Sequence, residues 1–514
     1  MPLPKSQRRK RPSKTSLDNS PGNKRPRYTK KSATTTTKSV DIHDLPNELI
    51  WDIVKRVDEN DNRKHLLSLS LCSKLFHSFA QEELYRHFEI RTPNTYRLLT
   101  RTLIENPPVR ALVRKVAVIL TGYPGYYRMQ NACADFKSWP GQEFNESKLS
   151  TTDRHLLMLT KVVCGTNGND NARCVLALCL LFLGRAEDVT LELDFFSRPS
   201  SRVLVTGLQM LTPSQGTDAF NFHHAPVFPV AKKVHLTGGT FVWLADTVFH
   251  KPFHLLPSLM APDNLVEMTL KGDENRWNIL DDVEFNRSTS LQSIRLEGSK
   301  SDASGLCRLL RRCPDLKRLH VSLRYRRTAV ADKDQASNIN DVILACCPKL
   351  EVLSLCTEGA SDRFFRQRSH VLTCLAKMNN LRDLRISLDC FFDHPTTVEM
   401  LASHFSDMLP PNVEKLGLDA TWALRILNGK ASANNPDAQA YKRGMERLIK
   451  NLCEATKTRL VRLKHIVIGF KFGKPVQWTR EAEKLLAGTD VKISLKNTTA
   501  SHMIWQDSWE SMFD

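Results

Sequence analysis

An apolar residue, two variable ones, an apolar residue, one variable and a further apolar residue: this unit recurs along the chain and limits its fold more than any other feature. The clear copies are Leu265-x-x-Met268-x-Leu270, Leu291-x-x-Ile294-x-Leu296, Leu316-x-x-Leu319-x-Val321, Leu350-x-x-Leu353-x-Leu355, Leu381-x-x-Leu384-x-Ile386, Val413-x-x-Leu416-x-Leu418 and Leu463-x-x-Ile466-x-Ile468. Weaker early copies start at Val113, Ala186 and Ala231. The closing apolar positions of the clear copies step by 26, 25, 34, 31, 32 and 50 residues. Alternation at the end of each unit is that of a strand with one buried face, and stretches such as 306–312 and 342–347 between units have helical spacing. One strand and one helix for every ~25 to 35 residues sets like elements side by side in an α/β array. An unrelated α/β domain is the competing reading.

Three stretches break the period: Tyr123 to Asn145, Thr237 to Asp263, and the Asn/Ala/Ser-rich Asn428 to Gln439. Beyond the last of these, Tyr441 to Thr456 has helical periodicity, Arg480 to Ala487 is expected as a last helix and Val491 to Leu495 as a last strand. Residues 501–514 close the chain with an acidic and aromatic tail, Ile504-Trp505-Gln506-Asp507-Ser508-Trp509 through Phe513, suited to cap the final unit or lie back on a neighbouring surface.

The segment from Asp44 to Ile90 follows another rule. Pro46 suits a first helical position, with Glu48 in the acid-favouring first turn. Leu49, Ile50, Ile53, Val54 and Val57 then fall along one helical stripe. After the polar break Asp58 to Lys64, Leu67, Leu71, Leu75 and Phe79 stand four apart, as in a second amphipathic helix. Leu84 to Ile90 is expected to pass from a short helix into an extended tail. So few residues bury little core alone and lean on a partner.

Leu45-Pro46-x-Glu48-Leu49, the Ile53-Val54 pair, Leu67-x-Leu69-x-Leu71-Cys72-Ser73-Lys74-x-Phe76 and the closing Leu84-Tyr85-Arg86 resemble the F-box, and Leu-Tyr-Arg-His its fungal members. Cys313-Pro314-Asp315-Leu316 before a strand resembles the repeats of F-box/leucine-rich-repeat proteins, although the asparagine ladder is missing or replaced and unit length drifts. The resemblance implies a small helical F-box followed by an irregular leucine-rich-repeat-like α/β solenoid. The expected division is 1–40 basic disordered tail, 41–92 F-box, 93–112 helical linker, 113–500 solenoid and 501–514 tail. It also implies docking on the Skp-type linker of a cullin-RING ubiquitin ligase through Leu45, Pro46, Glu48, Leu49, Ile53, Leu67, Leu71 and Leu75. Periodicity does not separate contact residues from small-core residues among these. Pro46 and Leu49 are the first candidates for contact, Leu71 and Leu75 for a mixed role.

The charge of +19 is unevenly spread. Residues 1–40 hold 12 Lys plus Arg against one acid and almost no apolar residue, a composition that does not fold alone. Arg8-Arg9-Lys10-Arg11 and Lys24-Arg25-Pro26-Arg27 resemble a bipartite nuclear localisation signal, implying an import receptor and a nuclear, or also cytoplasmic, location. A nucleic-acid-binding tail competes, with Tyr28 the tail's sole aromatic. Thirteen cysteines without CxxC spacing fit a reducing compartment, and no apolar run approaches the ~18 residues of a membrane span.

In the repeat, residues between the apolar positions point to the concave strand face. A column Arg295, His320, Ser354, Arg385, with Arg318 beside it, suits an acidic or phosphorylated segment of an unknown protein substrate. A solvated sheet surface is the bland alternative. No glycine-rich phosphate loop, GxSxG elbow or HExxH appears, His223-His224 has no second pair of metal ligands, and neither cofactor nor catalysis is expected. The leading expectation is therefore a non-catalytic substrate receptor of a ubiquitin ligase. The rivals are a nuclear F-box scaffold outside a ligase and a nucleic-acid-associated factor using the basic tail.

Overall fold

The structure, a computed structural model, describes residues 45–58, 63–119, 149–163, 168–192, 227–237, 263–271, 290–299, 309–324, 339–358, 372–392, 395–420, 436–470 and 476–497, with isolated positions 203, 207 and 306. Both basic clusters, most of the three period-breaking stretches and residues 501–514 lie outside them.

Three helices open the described chain: α1 (Asn47–Asp58), α2 (Arg63–Cys72) and α3 (Lys74–Arg86). The carbonyl of Pro46 accepts from the amides of Leu49 and Ile50 at 3.0 and 3.2 Å, so the proline opens α1. The single second helix expected across Leu67, Leu71, Leu75 and Phe79 is in fact two. Ser73 is extended and its side chain accepts from the Phe76 amide at 3.2 Å, capping α3 and ending the run of α2. Ile50, Val54, Leu66 and Phe76 fill a small core, backed by Leu45, Val57, Leu69, Leu75, Phe79 and Leu84.

Among the described residues the strands join one parallel sheet of twelve in chain order. They are β1 (His87–Ile90), β2 (Lys115–Val118), β3 (Asp188–Glu192), β4 (Lys233–Thr237), β5 (Glu267–Lys271), β6 (Ser293–Ser299), β7 (Arg318–Arg324), β8 (Val352–Glu358), β9 (Asp383–Ser387), β10 (Lys415–Asp419), β11 (His465–Phe470) and β12 (Lys492–Asn497). Each of the ten copies in the sequence, weak ones included, forms a strand, as does the stretch beginning at Val491. Parallel neighbours need a crossover. Helices supply several of them: α4 (Pro93–Glu105), α5 (Pro107–Arg110), α6 (Thr151–Val163), α7 (Gly168–Phe182), α8 (Ile339–Cys346), α9 (Pro395–Leu401), α10 (Pro436–Ala455) and α11 (Val476–Leu485).

The repeat's apolar positions form the shared core. Val116, Val189, Val234, Met268, Ile294, Leu319, Leu353, Leu384, Leu416 and Ile466 stand in one register row, and each is buried. Cys313 and Cys347 of the Cys-Pro-x-Leu turns are buried in the same core, where desolvation pushes the Cys313 thiol up to about 12. In place of a regular asparagine ladder, amides entering each strand bond to the carbonyl one unit back. The line Arg114, Glu187, Lys232, Val266, Gln292, Lys317, Glu351, Arg382, Glu414, Lys464 and Lys492 donates in this way over 2.7–2.9 Å, starting on the carbonyl of Arg86. Asn380 and Asn412 add side-chain rungs of 2.8 Å to Pro348 and Asn379 carbonyls.

Two features place the helical unit on the sheet. Strand β1 lies inside the segment assigned to the F-box, ahead of Val113 where the sequence pattern opened the array. It is the extended tail expected after Leu84, and it fits the repeat as Tyr85-x-x-Phe88-x-Ile90, a match the sequence reading did not draw. Helices α4 and α5, expected as a linker, bury Tyr96, Leu99, Leu103, Ile104 and Val109 in the sheet's core. The guanidinium of Arg63 donates to the His87 carbonyl, so the start of α2 covers part of the free edge that β1 otherwise exposes.

Candidate functional site

Two surfaces carry the residues singled out in the sequence. On the helical unit, α1 buries Ile50 and Val54 one turn apart, which turns Leu49 (49% exposed) and Ile53 (38%) toward water. Helix α2 buries Leu66 and Ser70 in the same way and presents Leu67 (55%) and Leu71 (80%). Pro46 and Glu48 are exposed, whereas Leu45 and Leu75 are half-buried and pack on the small core. The four-residue stripe Leu67, Leu71, Leu75, Phe79 therefore divides at Ser73: its first half faces outward and its second half inward. Leu71 is not the mixed core residue the sequence suggested, while Leu75 belongs chiefly to the core. Trp51, missed by sequence reasoning, braces this unit. Its ring lies 5.8 Å from that of Phe79, with the Lys55 ammonium 5.4 Å over its face.

Two pairs of large apolar side chains exposed one turn apart on α1 and α2, on a unit with a core of four buried residues, suit a surface that a partner covers. The F-box domain family matches residues 42–87, and the chain therefore carries an F-box domain there. The match ends on the first residue of β1, so the domain's last helix runs straight into the sheet. F-box domains generally bind Skp-type linkers of cullin-RING ligases, and the domain suggests in general an adaptor of such a ligase. A search of curated proteins returns no match to this chain.

The second surface is the sheet face opposite the buried positions, here termed the open face. Register brings together the expected column: Arg295 pairs with His320, His320 with Ser354 and Ser354 with Arg385. Arg318 is exposed two residues before His320 on the same face, while Ser354 is buried. The electrostatics differ from the sequence picture. Arg295 Nε is 2.5 Å from Glu297 on its own strand, and Arg385 grips Asp383 through Nε and Nη2 at 3.1 and 2.7 Å. Both pairs are spaced i, i+2, which puts them on one strand face. Sequence spacing held this signal, which the column reading did not use. Burial first, and then Arg385, Arg295 and Arg318, push His320 down to about 4, so it stands neutral at pH 7. The column is thus a nearly neutral polar strip, more than a string of unpaired cations.

Among the described residues no group of three or more His, Cys, Asp or Glu is placed to hold a metal ion, and no helix is long and apolar enough to cross a membrane.

Proposed function

We propose that this chain is the substrate-recognition subunit of an SCF-type ubiquitin ligase. Its F-box docks on the Skp-type linker through Pro46, Leu49, Ile53, Leu67 and Leu71, and the sheet, a leucine-rich-repeat-like solenoid, holds a protein target for ubiquitination. The observation that carries the reading is the outward set of Leu49, Ile53, Leu67 and Leu71 on an F-box domain. F-box proteins are typically non-catalytic adaptors, and the mechanism in this reading is proximity: holding a target lysine near a charged conjugating enzyme raises its effective concentration without chemistry by this chain. Target contact falls to the open face around Arg318, His320 and Ser354, where Arg318 is exposed and the flanking Arg295 and Arg385 already hold carboxylates. Import through Arg8 to Arg11 and Lys24 to Arg27 completes the proposal and places the assembly in the nucleus.

The test is a pull-down of the full chain beside a Pro46→Ala, Leu49→Ala variant, read by mass spectrometry. Linker and cullin are expected with the wild type and absent with the variant. Linker without cullin favours a scaffold outside a ligase, and absence of both from the wild type refutes the docking assignment. Replacing the two basic clusters by alanine is expected to move a fluorescent fusion out of the nucleus.

A further inference from the structure

We propose that the open face takes an unphosphorylated segment of the target, with one carboxylate seated on Arg318 and uncharged polar side chains at the next two alternate positions, over His320 and Ser322. This rests on the receptor reading above and adds to it the chemistry of the target. Arg318, His320 and Ser322 share one side of β7, because Leu319 and Val321 between them are buried in the core.

These three groups hold bonding capacity that the chain itself leaves unused. Arg318 is exposed and, among the described residues, takes part in no hydrogen bond or ion pair. The half-buried ring of His320 is likewise without a hydrogen bond. Ser322 Oγ is buried with no partner, a state that is costly unless a ligand supplies the missing bond. The charged groups on neighbouring strands are already engaged. Arg295 Nε lies 2.5 Å from Glu297, which also takes Lys271 Nζ at 3.2 Å from β5. Arg385 holds Asp383 through bonds of 3.1 and 2.7 Å.

Charge then selects among acidic ligands. Burial keeps the His320 ring neutral at pH 7, so it offers one donor and one acceptor, as the Ser322 hydroxyl also does. Both suit Ser, Thr, Asn or Gln better than a charged side chain. Arg318 is left to meet an anion alone, on a face that also carries the Glu297 and Asp383 carboxylates. A carboxylate matches one guanidinium fork through two parallel bonds. A phosphoryl group carries about −1.5 to −2 charges at pH 7 and is typically read by a cluster of arginines, which this strip does not offer. Outward residues of a strand recur every ~6.6 Å, so an extended segment reading acid-x-polar-x-polar spans the ~13 Å from Arg318 to Ser322.

The test passes three libraries of short random peptides, with Glu, Gln or phosphoserine fixed at the centre, over the immobilised full chain and quantifies retained peptides by mass spectrometry. The Glu library is expected to be held about fivefold better than the Gln library, and the phosphoserine library no better than the Glu library. Ser, Thr, Asn and Gln should be enriched two and four positions from the Glu on one side. Arg318→Gln should lower the Glu library to the level of the Gln library with no change in melting temperature. Ser322→Ala removes an unbonded hydroxyl, so the chain should fold as before, keep the Glu preference and lose the enrichment at the farther position. Stronger retention of phosphoserine than Glu, a Glu preference that survives Arg318→Gln, or no difference among the three libraries overturns the proposal. A chain that shows the Glu preference but brings down no linker supports this chemistry and refutes the ligase reading, whereas linker capture without the preference refutes this proposal alone.

Discussion

Two leucines of α2 should give opposite phenotypes: Leu66 and Leu71 make the sharpest comparison. Leu71 is 80% exposed and touches little of its own chain, whereas Leu66 is fully buried beside Ile50, Val54 and Phe76. Complete burial of a leucine side chain is worth about 1.5–3 kcal/mol. Covering one that starts four-fifths exposed, and then losing most of that by truncation to alanine, should cost about 1–2 kcal/mol of linker binding, or roughly five- to thirtyfold in affinity. Leu71→Ala should leave the thermal unfolding of the chain unchanged, because the folded chain alone gains nothing from that side chain. Leu66→Ala opens a cavity instead and should cost about 2–5 kcal/mol of F-box stability. Calorimetric titration with purified linker and thermal melts of the same samples separate the two. A Leu71→Ala chain that binds linker within twofold of wild type, or one that melts as early as Leu66→Ala, refutes the outward assignment.

Three further substitutions test the sheet. A Cβ on Gly444 of α10 would lie 2.7 Å from the Glu399 amide nitrogen and 2.9 Å from the Val398 carbonyl carbon, both backbone atoms of α9. Gly444→Ala should therefore destabilise by about 1–3 kcal/mol despite alanine's better helix propensity, visible as a lowered melting temperature. Arg110 grips the buried Asp153 through two bonds of 2.9 and 3.0 Å and lies 4.2 Å over the Phe182 ring, so Arg110→Met strands a carboxylate and should cost about 3–5 kcal/mol, while Arg110→Met with Asp153→Leu recovers most of it. His320 titrates near 6.5 unfolded and at about 4 folded. Between those values the unfolded chain binds the extra proton, so the contribution is complete above pH 6.5 and is lost as pH falls to 4, by up to about 3 kcal/mol. Denaturant melts of His320→Asn across that window should show a flatter slope, with the remainder carried by His87 and His465, which burial also lowers.

What was legible in the sequence follows from which interactions are local. Apolar spacing set every strand from β2 to β12 because a parallel array buries the same three positions in each unit, and Leu319, Leu353 and Leu384 show that burial directly. The extended tail expected before Ile90 is strand β1, but its place in the sheet escaped because Tyr85, Phe88 and Ile90 serve two patterns at once, closing the F-box and opening the sheet. The orientation of Leu67 and Leu71 escaped for a different reason. A four-residue stripe predicts a common face only along an unbroken helix, and a single capping serine at position 73 changes which side of the unit its halves occupy. The charge of the open face was misjudged where pairing, not residue type, decides it. Arg295 and Arg385 counted as binding groups in the column, yet each spends its fork on a carboxylate two residues away. A target carboxylate at those positions must compete with Glu297 or Asp383, so it gains less than an unpaired arginine would offer. On this argument Arg318, exposed between the two pairs, should dominate target recognition, and Arg318→Ala should weaken target capture more than Arg295→Ala when the two are compared in the same pull-down.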